Sequence, residues 1–244
     1  MDESAVELAV DADVDAVKIH SADLSNPDIL DSVASIGKPV SLSVGGSTID
    51  EILQALFTLR RKDVNDIILM HGFQAFPTSI EDSRPNFIRT LIKLFNCPVG
   101  YQDHTDGGTD YAYYLPIMAM CAGACILEKH ITDDRTLKRV DYESALGPIE
   151  FKRFVDMVRR LSTALDGGEV KPLSEPEKKY RKNFKKSIVA ACQIEKGKVI
   201  KKEMLSFMRT NTDGLPPTKV NTVIGRKCKT NIEQYDILKK NNLE

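Results

Sequence analysis

The sequence lacks an excess of charge of either sign, because its 34 Lys and Arg residues nearly cancel its 35 Asp and Glu residues. This balance disfavours a protein whose whole surface binds a polyanion. Hydrophobic residues nevertheless make up 42% of the 244 residues, which is enough for a substantial core and argues against intrinsic disorder. We therefore expect one large domain, or a large domain followed by a small one.

Long apolar runs are also missing. No run approaches the roughly 20 residues that a membrane-spanning helix needs. The N-terminus, with Asp2 and Glu3, lacks the basic start and the apolar stretch of a signal peptide. These absences favour a cytoplasmic protein that does not enter a membrane.

Cysteine motifs are absent as well, because none of the five cysteines belongs to a CxxC pair. An odd number of cysteines in this arrangement argues against a disulfide framework and against a cysteine zinc site. We expect reduced thiols buried in the core, which is the usual location of free cysteines.

Short apolar runs alternate with amphipathic segments over the first 165 residues. The runs are apolar almost to their ends, which is typical of strands buried on both faces of a parallel sheet. They cover residues 15–21, 39–44, 66–72, 98–104 and 124–130. Between them, Asn26-Pro27 is typical of a helix start, and Ser47 with Asp50 resembles a capping box. The pattern predicts an α/β fold of five βα units.

The alternation stops near residue 166. A charged stretch follows at residues 171–186 and contains Pro172 and Pro176, so we expect a linker there. Beyond it the apolar runs are short and are separated by turn signals. The predicted division is a βα domain at residues 1–166, a linker at 167–186, and a small β or α+β domain at 187–244.

All four histidines of the chain fall at the ends of predicted strands; they are His20, His71, His104 and His130. The carboxyl ends of parallel strands form one rim, where α/β proteins bind their ligands. Converging imidazoles suit a metal or acid–base site, although a single strand-end histidine is more commonly structural. The same rim should carry polar residues that suit an anionic substrate and a divalent ion: Lys18, Ser21, Asp23, Ser43, Gln74, Gln102, Asp103, Glu128 and Lys129.

A basic run at residues 178–186 contains six basic and two aromatic residues. A contact with nucleic acid and a solvated linker both explain such a run. Because the nearly neutral chain offers no larger basic face to extend it, we favour the solvated linker and expect no nucleic-acid partner.

Four strand-end strings and a C-terminal pattern point to a known family. The strings are residues 18–23 (KIHSAD), 71–78 (HGFQAFPT), 99–105 (VGYQDHT) and 126–130 (ILEKH), and Asp141 follows them. The C-terminal pattern is residues 187–191 (SIVAA), Met208-Arg209 and residues 223–226 (VIGR). Together they resemble the sialic acid synthase family with its antifreeze-like (SAF) domain, over essentially the whole chain. The resemblance implies a βα barrel of the TIM type, with about five units present, followed by the small SAF domain.

Enzymes of this family condense phosphoenolpyruvate with an N-acetylated amino sugar, such as N-acetylmannosamine, to a nonulosonic acid. The resemblance therefore implies a carbon–carbon bond-forming transferase. It implies that His104 and His130 bind a divalent metal, Mn²⁺ or Mg²⁺. The implied phosphoenolpyruvate site contains Lys18, Ser21, Ser43, Gln74 and Gln102, and catalytic roles fall to Lys18 and Asp23. The implied sugar contacts are Phe76, Asp141 and Arg209. The arginine would reach the partner's site in a domain-swapped homodimer.

Five positions depart from the residues usual in that family. Asp23 replaces glutamate, Gln74 asparagine, Phe76 tyrosine, Gln102 serine and His20 glycine. A buried site built for one hydrogen-bond pattern tolerates another poorly, so the changes suggest a different sugar, altered phosphate binding or lost activity. Synthesis of legionaminic acid, pseudaminic acid or a spore-coat sugar stays open, as does a non-catalytic protein that binds a sugar or phosphate.

The matched strings correspond to the fourth to eighth strands of the family's barrel. At about 30 residues for each βα unit, roughly a hundred residues with the first three strands are absent, including a glutamate and a lysine of the family's site. An unclosed barrel leaves two unpaired strand edges. We expect a fragment, an incomplete gene product, or a naturally short relative that another chain completes, and we expect it to be inactive alone.

Overall fold

The computed structural model describes residues 3–165, 168, 170–210, 212 and 214–244. The chain divides into two compact units, Met1–Gly168 and Glu169–Glu244. The domain boundary expected between residues 166 and 167 falls on two residues outside the described ranges.

Five parallel strands alternate with helices in the first unit. The strands are β1 (Val17–Ile19), β2 (Val40–Ser43), β3 (Ile67–His71), β4 (Val99–Asp103) and β5 (Leu127–Lys129). The helices are α1 (Glu3–Asp11), α2 (Pro27–Ile36), α3 (Ile49–Arg60), α4 (Ile80–Ser83), α5 (Phe87–Phe95), α6 (Tyr111–Cys121) and α7 (Pro148–Leu165). The sheet order β1-β2-β3-β4-β5 follows the chain. These elements confirm the predicted α/β class.

The helices cover one face of the sheet, where alternate strand residues are aliphatic. Leu42, Leu69 and Val99 are fully buried there, and they belong to the same core as Leu56 of α3 and Leu91 of α5. Because side chains alternate along a strand, the residues between them point to the other face. That second face carries the polar residues of the candidate site.

The starts of α2 and α3 have side-chain caps. Asn26 accepts hydrogen bonds from the first turn of α2, as its position before Pro27 predicts. The capping box of α3 is formed by Thr48 and Glu51, so the prediction of Ser47 and Asp50 was wrong by one residue. Ser47 with Asp50 and Thr48 with Glu51 both have the three-residue spacing of a capping box. The box forms at the second pair, because the carboxylate of Glu51 accepts from the backbone N–H of Thr48 at 2.7 Å.

The sheet is strongly curved. Strands β1 and β5 are its two edges, four strand spacings apart, which is about 19 Å along the sheet at about 4.8 Å each. Lys18 Nζ on β1 nevertheless lies 2.6 Å from Glu128 Oε1 on β5. Two side chains can meet across five strands only if the sheet curls around them, as it does in βα barrels. The five strands therefore form half of a barrel, with a concave inner face.

The second unit is small and rich in turns. It contains α8 (Glu175–Phe184), β6 (Lys186–Ala190), β7 (Leu205–Arg209) and α9 (Val220–Val223). The two strands are antiparallel, and Ile188 pairs with Phe207. Ile188, Ile194 and Leu238 are fully buried in its core. This architecture confirms the predicted small β/α+β domain.

The charged stretch that was expected to be a linker contains a regular helix. Ser174 and Glu177 form a capping box at the start of α8, with Ser174 accepting from the Glu177 N–H. Pro176 lies in the first turn, where its missing N–H removes no helical hydrogen bond. The cap therefore stabilises a helix in which no residue is buried.

The cysteines are reduced in both units, but only two of them are buried. Cys97 and Cys228 lie in the cores, whereas the prediction of burial was wrong for Cys121, Cys125 and Cys192. Within the described ranges, no helix is both long enough and apolar enough to cross a membrane.

Candidate functional site

Polar side chains follow one another along the inner face of the half-barrel towards its carboxyl rim. On β4 and its end they are Gln102 and His104, and on β5 and its end they are Glu128 and His130. The spacing of two residues places each pair on the same face. Gln102 and Glu128 are also partners in the β4–β5 register.

Glu128 is the centre of a hydrogen-bond network on this face. Its two carboxylate oxygens accept from Lys18 Nζ at 2.6 and 2.8 Å, and Gln102 Nε2 donates to Oε1 at 3.0 Å. Burial opposes ionisation of Glu128, but the hydrogen bonds from Lys18 and Gln102 outweigh it and lower the pKa of the carboxyl. Glu128 is therefore the counter-ion of Lys18.

Two buried polar atoms beside this network have no partner among the described residues. They are the hydroxyl oxygen of Ser43, at the end of β2, and the amide oxygen of Gln102. A buried polar atom without a hydrogen bond costs about 1–3 kcal/mol, so such atoms commonly mark a place for a ligand or water. Both residues belong to the set predicted to bind phosphoenolpyruvate.

The two histidines at the ends of β4 and β5 lie side by side, with ring centroids 5.2 Å apart. His104 Nδ1 donates to the Phe73 carbonyl at 2.7 Å, because a carbonyl can only accept. Burial lowers the pKa of His104, which favours a neutral ring. The hydrogen bond fixes the tautomer and leaves Nε2 with a lone pair for a ligand.

Phe76 and Asp141 border the histidine pair. The ring centroid of Phe76 lies 4.4 Å from that of His104 and 5.7 Å from that of His130. Asp141 Oδ2 lies 3.7 Å from His130 Nδ1. Both residues were predicted to contact the sugar, and the structure places them beside the predicted metal ligands.

The two imidazoles fit a divalent metal as part of a ligand set. Neutral imidazole nitrogen suits Mn²⁺ and related ions, and His104 offers a free Nε2. Within the described ranges, no three His, Cys, Asp or Glu side chains are grouped closely enough to hold a metal ion. Any metal here would thus need further ligands from substrate, water or another segment.

The remaining predicted residues of the first unit lie in loops at the same rim. Ser21 and Asp23 form a half-buried 3₁₀ turn directly after β1. Gln74 is half-buried in the loop after β3. A Cβ at Gly45, after β2, would lie 2.0 Å from the Gly72 carbonyl oxygen and 3.0 Å from Gln74 Nε2. Only glycine lets these two loops approach so closely.

Two of the four histidines do not join the site, contrary to the interpretation that all four share the rim. His71 Nε2 lies 3.2 Å from the Arg84 carbonyl oxygen, and its ring packs against Phe87. His71 pairs in register with Tyr101, whose ring belongs to the helix-covered core. His20 Nδ1 instead accepts from the Ala22 N–H and caps the turn after β1.

Asp103 and Lys129 were expected on the polar rim, and this expectation was wrong. Each side chain is only 1% exposed, and the two form an ion pair. Alternation explains the difference, because each residue directly precedes one of the two rim histidines and therefore points to the opposite face.

Arg209 belongs to the second unit, at the end of β7. Its guanidinium lies 5.3 Å from the ring centroid of Phe184. Its predicted contact with a sugar stays a prediction.

The sequence placed Glu128 among the polar rim residues that suit an anionic substrate and a divalent ion, but not as the counter-ion of Lys18. The two-residue spacing of Glu128 from His130 was the signal that could have placed it on the inner face. The hydrogen bond between His104 and the Phe73 carbonyl could not be predicted from the sequence, because every residue has a backbone carbonyl and the residue type does not reveal its partner.

Two families match the chain. Residues 1–170 match the NeuB family, and residues 185–244 match the SAF domain. The chain is 36% identical to an uncharacterized protein from Methanocaldococcus jannaschii, over 96% of this chain and 67% of that protein. It is 31% identical to N,N'-diacetyllegionaminic acid synthase from Legionella pneumophila, over 95% and 64% of the two chains. It is 30% identical to human N-acetylneuraminate-9-phosphate synthase, over 98% of this chain and 65% of that protein. The chain thus spans about two thirds of the length of these relatives.

Solved structures share the fold. A protein from Chromobacterium violaceum assigned to spore coat polysaccharide biosynthesis superposes with a TM-score of 0.84 at 21% identity, over 100% of this chain and 72% of that one. The N-acetylneuraminic acid synthetase from Leptospira borgpetersenii, solved with citrate, superposes with a TM-score of 0.67 at 31% identity. The superposition covers 75% of this chain and 63% of that one. Together with the half-barrel, these likenesses show a fold related to sialic acid synthases.

Proposed function

Because this chain belongs to the NeuB family, we propose that it is part of a synthase that condenses phosphoenolpyruvate with an N-acetylated amino sugar. The product would be a nonulosonic acid, and inorganic phosphate would be released. The names of the Legionella and human relatives support a product of this class.

The observation that carries the proposal is the composition of the inner face and its rim. A lysine, two adjacent imidazoles and two buried polar atoms that have no partner in the described part of the chain converge there. A phosphorylated carboxylate needs a cation and hydrogen-bond donors. Of the two atoms that lack a partner among the described residues, the Ser43 hydroxyl can donate to it directly, whereas the Gln102 amide oxygen can only accept and would bind a bridging water.

Lys18 would bind the phosphate group by exchanging its present partner. In the structure its ammonium is neutralised by Glu128, whose side chain is 35% exposed. A phosphate carries more negative charge than a carboxylate, so it competes for the same ammonium. Lys18 would then stabilise negative charge on the phosphate as that group leaves. Asp23, in the turn after β1, would complete the predicted catalytic pair.

His104 and His130 would hold a divalent metal, Mn²⁺ or Mg²⁺. When bound, such a metal supplies Lewis-acid polarisation of a carbonyl group. The Phe73 carbonyl orients the His104 ring by accepting from its Nδ1. Burial lowers the pKa of His104, which favours the neutral ring that binds a metal.

Phe76 and Asp141 would face the sugar. Phe76 is 41% exposed beside the histidine rings and offers no hydroxyl, so it favours a sugar with an apolar group at that point. This feature keeps legionaminic, pseudaminic and spore-coat sugars as the second candidate substrates. A non-catalytic sugar- or phosphate-binding protein would use the same rim without turnover.

The half-barrel would be completed by further βα units from this or another chain. In the described part of the chain, β1 and β5 each have a strand neighbour on one side only. Paired strands would cover both edges and enclose the inner face.

Calorimetric titration with phosphoenolpyruvate tests the proposal directly. Lys18→Gln should weaken binding at least tenfold, and Glu128→Gln should tighten it by freeing the ammonium. Lys38→Gln is the matched control, because Lys38 makes a surface ion pair with Asp13 in the same unit. Binding that is equally strong in the Lys18→Gln chain would contradict the proposal.

A further inference from the structure

Helix α8 gathers positive charge on one face. Lys178, Arg181, Lys182 and Lys185 recur at the three- and four-residue spacing that places side chains together on a helix. With Lys186 they line a cavity of about 430 Å³ in the second unit. This size lies in the usual range for small-molecule sites, about 300–1,000 Å³.

Hydroxyl groups and a closely packed loop also line the cavity. Ser187, at the start of β6, is 7% exposed, and Thr210 Oγ1 lies 3.1 Å from its hydroxyl oxygen. A Cβ at Gly214 would lie 2.9 Å from Ser187 Cβ and 2.2 Å from Ile237 Cγ2. The loop can approach Ser187 this closely because residue 214 is a glycine.

The charge of the cavity is not balanced by the described residues that line it, because none of them is acidic. Lys178 has an ion pair with Glu175 at 2.7 Å, one turn earlier on the exposed helix. Like charges four residues apart within a helix, such as Lys178 and Lys182, destabilise it. An anion between them would remove this repulsion.

We propose that this cavity binds a small molecule that carries two or more phosphoryl charges. The guanidinium of Arg181 can donate two parallel hydrogen bonds to a phosphoryl group, and the lysines supply further charge. The Ser187 hydroxyl can donate as well, while the Thr210 hydroxyl donates to the Thr212 carbonyl at 2.8 Å. The proposal does not rest on the reaction at the barrel rim, because every residue involved belongs to the second unit.

A single-stranded nucleic acid is a poorer occupant. Proteins that bind it stack bases on free aromatic rings. The two aromatic residues of α8, Tyr180 and Phe184, stack on each other with centroids 5.2 Å apart, and Arg209 lies over Phe184. Neither ring lines the cavity.

Calorimetric titration of the full chain with inorganic pyrophosphate, in metal-free buffer at about 150 mM salt, tests the proposal. All chains carry Lys18→Gln, so that phosphate binding at the barrel rim does not contribute. We expect saturable binding of one pyrophosphate, weakened at least tenfold by Arg181→Gln with Lys182→Gln. Lys179→Gln, on the same helix but outside the cavity, should change the affinity less than twofold.

Ser187→Ala provides a second variant that leaves the charge unchanged, and it should weaken binding two- to fivefold because it removes a hydroxyl donor from the cavity. Absence of saturable binding would overturn the proposal. An equal loss with Lys179→Gln would also overturn it, because only diffuse attraction to the helix would then remain. Tighter binding of a single-stranded oligonucleotide, without competition by pyrophosphate, would assign the basic face to nucleic acid instead.

Discussion

Asp103 and Lys129 form a buried ion pair between β4 and β5, one residue ahead of His104 and His130. Both side chains are 1% exposed, and their residues are direct partners in the strand register. A slip of one residue would turn each strand's side chains to the opposite face. The pair therefore stabilises the register that brings both imidazoles to the rim.

Removal of one partner should destabilise the first unit strongly. Asp103→Asn leaves the Lys129 ammonium buried without a counter-ion, which typically costs about 3–5 kcal/mol in the free energy of unfolding. Chemical denaturation of the full chain, followed by circular dichroism, measures this loss. Asp156→Asn is the control, because its ion pair with Lys152 on α7 is exposed and should contribute less than about 1 kcal/mol. Equal losses in the two variants would contradict the role of the buried pair.

The adjacent imidazoles predict metal binding. Titration with Mn²⁺ should show that His104→Ala and His130→Ala each weaken binding at least tenfold, because each removes one of the two proposed protein ligands. His20→Ala should leave the affinity unchanged, since His20 caps the turn after β1. If both ligand variants bind Mn²⁺ as tightly as the unmodified chain, the metal site is elsewhere.

The sequence was sufficient to predict the strands, because buried parallel strands are nearly continuous apolar runs. Their ends were less certain: the first run was predicted to extend to Ser21, but β1 ends at Ile19. At the rim, position at the end of a strand does not by itself decide the face, because side-chain alternation turns Asp103 and Lys129 away from the two histidines that follow them. Lys18 and Glu128 are 110 residues apart, and only the curvature of the sheet brings them together.

Buried His71 predicts a pH dependence of stability. Burial lowers its pKa below the ordinary value of 6.5, so the unfolded chain takes up a proton at a higher pH than the folded chain. The free energy of unfolding should therefore fall as pH decreases from 7.5 to 5.5. His104, whose pKa burial also lowers, adds to the same slope.

His71→Gln should reduce this slope, because the variant has no group that titrates at this position. Denaturation curves at several pH values measure the effect. An unchanged slope in the His71→Gln chain would show that other groups cause the acid sensitivity.

The open edges of the half-barrel predict that the chain alone does not release phosphate from phosphoenolpyruvate and N-acetylmannosamine. An added segment that supplies three βα units should restore release, because it encloses the inner face and holds the reactants in place. A panel of related amino sugars would then identify the preferred substrate. The 244-residue chain with His104→Ala should stay inactive even when the added three-unit segment is present. Robust turnover by the isolated 244-residue chain would contradict the need for further strands.

Arg209 supports the last prediction, which concerns a domain-swapped homodimer. Arg209 is the last residue of β7, and its guanidinium lies over the ring of Phe184. The family resemblance assigns this arginine to the sugar site of a partner subunit. A guanidinium offers several fixed donors to sugar oxygens and stays charged. In an assembly with the barrel completed, Arg209→Ala should raise the apparent KM for the sugar several-fold and leave the affinity for Mn²⁺ unchanged.

Mixed dimers distinguish a contribution from the partner from one within the same chain. If Arg209 acts on the partner's site, a dimer of one Arg209→Ala subunit and one His104→Ala subunit contains one site with both residues intact. At a sugar concentration well below KM, where Arg209→Ala is strongly impaired, activity should then return when this variant is mixed with the inactive His104→Ala chain. At equal amounts the mixed dimers contribute up to about a quarter of the unmodified level, because half of the dimers are mixed and each has one working site. Size-exclusion chromatography of differently tagged subunits verifies the exchange. Verified exchange without any return of activity would mean that Arg209 does not act across a subunit interface.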